Sequence, residues 1–175
     1  MKKRVLAATV AALMGVGFTT GAQNAAPMAC FVYVGPIGDI GWTYAHNDAR
    51  LLSEKAVPGL KTKYVESVPE GQAMPVIDKL VGDGCNVVFT TSFGFMDQTL
   101  EAAKKYPNVL FAHASGFKRA PNMATYMADF YQLYYLNGMM AAALSKTGKL
   151  GYVGAFPIPE LKRHISAFAL GARAV

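Results

Sequence analysis

Apolar and polar positions along the chain alternate between two periods. Short runs rich in β-branched and aromatic residues, bounded by Gly, Pro or Asn, predict strands over 30–34, 61–67, 86–91, 108–113 and 123–127. Longer stretches with apolar residues three or four apart predict helices over 43–57, 69–81 and 96–106. Pro58-Gly59, Gly82 with Gly84, and Pro107 punctuate them, and Pro69 suits a first helical turn. The run Lys61 to Ser67 is the more alternating and belongs nearer a sheet edge. Apolar strands separated by helical stretches predict βαβ units, hence an α/β fold with a doubly wound parallel sheet and right-handed crossovers.

The grammar then starts again. A helix is predicted over 130–146, a strand over 150–156 and a helix from Glu160 onward. One strand and two helices cannot bury their own apolar faces. The expected organisation is a first α/β lobe over 28–127 and an incomplete second lobe over 128–175, in a chain that is a fragment. In open parallel sheets ligands bind outside the carboxyl ends of the strands. In this sequence those ends meet the loops Gly35–Trp42, Ser67–Gly71, Ser92–Phe95 and His113–Phe117.

Charge changes the picture less than the totals suggest. There are 17 Lys and Arg against 11 Asp and Glu, a formal net charge of +6, in 175 residues that are 53% hydrophobic. The hydrophobic share excludes a disordered chain. Lys2, Lys3 and Arg4 precede an uncharged apolar run from Val5 to Phe18 and the small residues around Ala22. That is the pattern of a cleaved export signal over 1–22, too short in its apolar part for the ~20 residues a bilayer span needs. Its removal takes away three basic residues and no acidic one, leaving a balance of +3. The remaining basic residues form no stripe, so no nucleic-acid partner is expected. Cys30 stands too far behind the apolar run for a lipoprotein signal, and lipid anchoring is not expected. The expected location is the periplasm.

Several positions carry candidate chemistry. Gly35-Pro-Ile-Gly-Asp-Ile-Gly-Trp42 has the place of a dinucleotide loop but not its G-x-G-x-x-G spacing, so no cofactor is expected. The loop instead presents Asp39 and Trp42, the only Trp, to a small flat ligand. Ser92, Gly94 and Phe95 follow the third strand and suit a pocket wall, with Asp97 as a hydrogen-bond acceptor. Ser92, Asp97 and His113 also stand in the chain order of an α/β hydrolase, without that fold's loop spacing. A small exported hydrolase using Ser92 and His113 is the enzymatic alternative. No His, Cys or carboxylate set has metal-ligand spacing. Among the aromatics from Tyr126 to Tyr135, Phe130 is the one best placed to face a cleft between the two units. In a sheet of order 2-1-3, Cys30 and Cys85 lie near the same edge of neighbouring strands, so they are either a disulfide or two buried thiols.

The segments Phe31–Tyr44, Val88–Asp97, Phe111–Gly116 and Tyr152–Glu160 resemble the basic membrane protein family of periplasmic binding proteins, the purine nucleoside receptor-like group. The resemblance covers about residues 30–175 and is similar to the branch associated with free purine bases such as adenine. It implies a type I periplasmic-binding-protein fold and a solute-binding component of an ABC importer, with permease subunits as partners and no catalysis. It further implies a monomer when full length. Trp42 would stack on a purine base and Asp97 would bond its edge. Ser92, Gly94 and Phe95 would line the first-lobe wall, with Asp39 and Phe130 as weaker members. A ligand-sensing receptor subunit with the same pocket is a further alternative. Complete members are about twice this length, so much of the second lobe would be missing.

Overall fold

The computed structural model describes residues 27–154 and 156–175. The export signal read over 1–22 lies outside them. The five strands form one parallel sheet: β1 Met28–Val32, β2 Lys61–Val65, β3 Val87–Thr90, β4 Leu110–Ala114 and β5 Met123–Tyr126, in the order β2-β1-β3-β4-β5. This is the expected α/β arrangement, with the alternating strand β2 at an edge.

The alternation within β1 assigns its side chains to two layers. Cys30 and Val32 pack with Ile77, Leu80, Val88, Phe95, Ala102, Ala103 and Phe111. These come from α2 (Ala73–Gly82), α3 (Met96–Lys105) and the strands between. Ala29, Phe31 and Tyr33 face the other way, where Phe31 stacks on Phe89 with ring centroids 4.6 Å apart. On that side lies α1 (Trp42–Ala56), whose Arg50 donates to Thr62 of β2 and sits 4.9 Å over the Tyr64 ring.

A disulfide joins Cys30 to Cys85, with Cα atoms 5.9 Å apart and a sequence separation of 55. Strand adjacency makes it possible: Cys30 is opposite Val88, and Cys85 stands two residues before β3.

Two local expectations are corrected. The helix expected from Pro69 starts at Ala73, and it is Pro75 whose missing N–H falls in the first turn, where helix amides have no internal partner. The strand expected over 150–156 does not form. Its described residues run irregularly and Val153 is fully exposed, because a strand needs a neighbour to take its backbone hydrogen bonds and none lies beside it among the described residues.

After the sheet, α4 (Tyr131–Leu144) and α5 (Pro159–Arg173) pack against each other as a hairpin. Gly138 and Gly171 let the backbones touch. A Cβ on Gly138 would run into the Phe168 carbonyl, and one on Gly171 into the Tyr135 carbonyl.

Candidate functional site

The carboxyl ends of β1, β3 and β4 open toward the first turns of α4 and α5. Between them lies a cavity of about 520 Å³. The sheet side contributes Val34, Trp42, Glu70, Thr91, Ser92 and Ser115, and the hairpin side contributes Phe130, Tyr134, Ile158, Glu160 and His164. Its size is that of a small-molecule site, and its walls are mostly apolar with a few polar groups. The backbone around it is held in unusual conformations. Ile40, Ser67 and Ser115 have φ of 52°, 55° and 65°, and all three belong to loops at this end of the sheet.

Trp42 opens α1, and its indole Nε1 donates to the Thr91 carbonyl at 2.6 Å. This bond ties the helix start to the end of β3 and fixes the indole at the cavity wall. His46, one turn later, sits 4.6 Å from the indole and donates through Nδ1 to the Trp42 carbonyl. Burial holds this imidazole below its ordinary pKa, against the pull of that carbonyl.

Ser92 follows β3, and its hydroxyl donates to Glu70 Oε1. Gly94 leaves the room that Glu70 occupies, since a Cβ there would meet the carboxylate. Phe130 precedes α4 and approaches the His164 ring edge-on at 6.4 Å. Tyr134, one turn on, stacks on His164 at 4.4 Å.

The structure thus brings Trp42, Ser92 and Phe130 together at the cavity, with Gly94 behind Glu70. It sends the other expected residues elsewhere. Asp39 caps α1: Oδ1 accepts from the amides of Gly41 and Tyr44, and Oδ2 from that of Thr43. The Gly41 and Tyr44 bonds hold its carboxyl below the usual range. Carboxylates are favoured at helix starts, so the residue type that suited a ligand suits this role equally. Phe95 is fully buried in the core between α2 and α3. Asp97 is mostly exposed and pairs with Lys118 on the outer side of α3.

His113 is fully buried, and burial pushes its pKa down to about 4. Its environment fixes its tautomer, because each hydroxyl has one proton to give. Thr99 donates to the Phe95 carbonyl, so Thr90 donates to Thr99, and Thr90 must accept from His113 Nδ1–H. The ring is committed to this chain, while Ser92 is committed to Glu70. No hydrogen bond joins Ser92 to His113 among the described residues, so the hydrolase arrangement is not assembled.

Glu70, Thr91, Ser115, Glu160 and His164 were not singled out from the sequence, and Tyr134 stood there only as one of the aromatic series led by Phe130. Glu70 and Ser115 lie in loops that parallel-sheet topology marks as the ligand end. Nothing in the local pattern of Glu160 or His164 distinguishes them from ordinary helix residues. No group of His, Cys, Asp and Glu among the described residues is arranged to hold a metal ion.

The family of ABC transporter substrate-binding proteins described as PnrA-like, Bmp, matches residues 26–175. A protein from Brucella abortus named as a purine-binding protein is 46% identical over 147 residues, covering 83% of this chain and 42% of that protein. A protein from Haloferax volcanii, provisionally named an ABC transporter glucose-binding protein, is 39% identical over 147 residues, covering 84% of this chain and 38% of that one. The chain therefore spans about two fifths of the length of the curated relatives it matches. Among solved structures, an ABC transporter solute-binding protein from Aeropyrum pernix superposes with a TM-score of 0.68 at 22% identity, over 85% of this chain and 43% of that one, which supports the fold. With the match spanning the whole sheet and both cavity walls, this chain belongs to the Bmp family of PnrA-like ABC transporter substrate-binding proteins.

Proposed function

We propose that this chain forms the ligand-recognising part of a periplasmic solute-binding protein, and that its ligand is a purine base or nucleoside delivered to an ABC importer. The observation that carries the reading is the cavity at the carboxyl edge of the sheet, with Trp42 pinned on one wall and Phe130 and Tyr134 on the other. A purine has two π-faces and a polar edge. Aromatic walls take the faces, and a few acceptors and hydroxyls read the edge. The name of the Brucella abortus relative points the same way.

In this reading residues 1–22 are removed on export, 28–127 form the first lobe and 128–175 begin the second. The site is a binding site without a catalytic step. Ser92 serves as a hydrogen-bonding wall residue rather than a nucleophile, and Asp39 and Asp97 act in the scaffold around the site. The permease is the partner at the membrane, and no helix among the described residues is long and apolar enough to cross it.

Trp42 is the only Trp, so its fluorescence reports the site directly. Adenine, guanine, adenosine and inosine are titrated against the chain, with glucose as a contrasting ligand. Saturable quenching by a purine is expected, and it disappears in Trp42→Phe, which retains a binding face but loses the reporter. Silence from every purine, or a response to glucose alone, contradicts the reading.

A further inference from the structure

The cavity is one-sided in charge. Glu70 and Glu160 both line it, and no Lys or Arg does among the described residues. The two carboxylates are not equivalent. Glu70 stands at the exposed rim and already accepts from the Ser92 hydroxyl. Glu160 lies in the first turn of α5 with 20% of its side chain exposed. Its Oε1 is 3.9 Å from His164 Nε2, beyond hydrogen-bond reach, and its Oε2 is buried with no partner among the described residues.

His164 does not neutralise it. The ring is stacked on Tyr134, and burial holds its pKa below the ordinary value, outweighing the pull of Glu160, with Arg163 adding to the depression. The start of α5 favours a negative charge but places no donor on Oε2. A buried acceptor left unsatisfied is costly, and a charged one more so. Such a group at the wall of an aromatic-lined cavity calls for a donor from whatever fills the cavity.

We propose that Glu160 sets the ligand selectivity of this site. Its free oxygen accepts a hydrogen bond from an amino group on the edge of the bound ring, after a small rotation of the carboxylate toward the cavity. The inference rests on the reading of the cavity as an aromatic-ring site. An amino substituent presents a proton to the carboxylate. An oxo substituent at the same position presents lone pairs and is repelled. A phosphate adds charge that both carboxylates oppose with no cation to offset it. The site therefore takes amino-bearing bases in preference to oxo-bearing ones, and free bases in preference to nucleotides.

The test uses the 175-residue chain, its Glu160→Gln and Glu101→Gln variants, and adenine, hypoxanthine and adenosine monophosphate, with binding read by calorimetry. The unaltered chain is expected to bind adenine well above the other two. Glu160→Gln keeps an acceptor but loses its charge, so it weakens adenine by about threefold to tenfold, the difference between a charged and a neutral acceptor, and narrows its advantage over hypoxanthine. Glu101→Gln, an exposed position of α3 away from the cavity, changes that advantage little. The same Glu160→Gln variant, without ligand, melts no lower than the unaltered chain, because removing an unsatisfied charge offsets the loss at the helix start. Equal binding of adenine and hypoxanthine by the unaltered chain overturns the inference. So does a Glu160→Gln variant that keeps its adenine affinity, or one that loses both bases equally while melting lower. Each of those results leaves the aromatic-ring reading standing. Failure of the unaltered chain to bind any of the three contradicts that reading itself.

Discussion

The two walls of the cavity come from regions with very different interiors. Residues 28–126 bury Cys30, Val32, Ile77, Val88, Phe95 and Phe111 in a continuous core and close it with a disulfide. In the hairpin, α4 buries only Gly138, and α5 buries His164, Ala167 and Gly171. Leu133, Leu136, Met140 and Leu144 lie on the exposed surface of α4, spaced at helical intervals. One wall is therefore positioned by a packed sheet and the other by the close contact of two helix backbones. A site stretched between them is only as well formed as its weaker side, so loosening the hairpin should weaken binding of the proposed ligand more than it lowers overall stability.

The largest expected effect tests the sheet. Replacing both cysteines, Cys30→Ala with Cys85→Ala, frees a 55-residue separation and should cost about 2–5 kcal/mol in denaturant unfolding. Unchanged stability would mean the sheet does not depend on this cross-link. The next effect comes from His113. Its folded pKa of about 4 lies below the ordinary value of 6.5, so the unfolded chain binds the proton more readily. Its contribution is full above pH 6.5 and is lost as pH falls toward 4, about 3 kcal/mol in all. Relative to His113→Asn, the unaltered chain should therefore lose stability more steeply across that window. Parallel pH profiles would show that the buried ring is not the cause.

Gly171→Ala probes the other region. A Cβ at this position meets the Tyr135 carbonyl, and overpacking of this kind costs about 1–3 kcal/mol. Hydrogen exchange should quicken in α4 and α5 while β1, β3 and β4 keep their protection. Uniform quickening would mean that the two regions unfold as one. The smallest effect belongs to Asp97→Asn, which breaks an exposed pair with Lys118 and should change stability by less than about 1 kcal/mol. Ligand affinity should not move, and a large loss would put Asp97 back at the site.

The contrast also explains what could be read from the sequence. The sheet was legible because strand alternation, turn residues and the topology of parallel sheets are separate signals that agree; strand order brought Cys30 and Cys85 together but left open whether they are bonded or two buried thiols. The place of Trp42 at the cavity wall was legible because its loop follows the carboxyl end of a parallel strand. Asp39 was misplaced because capping a helix and binding a ligand call for the same residue type in the same loop. Phe95 was misplaced because an apolar side chain after a strand reads alike whether it turns into the core or toward a cleft. The segment 150–156 has a strand's composition, but composition supplies no neighbour. His164 was silent because its contacts with Phe130 and Tyr134 cross the hairpin, and Glu160 because its place at the cavity follows from how α5 is seated, which no local period records.

Hydrogen exchange of the chain with and without adenine shows whether one ligand engages both walls. If one does, exchange slows at Thr91–Phe95 beside Trp42 and, in the same experiment, at the first turns of α4 and α5. Protection confined to the sheet, or no protection at either wall, would contradict it.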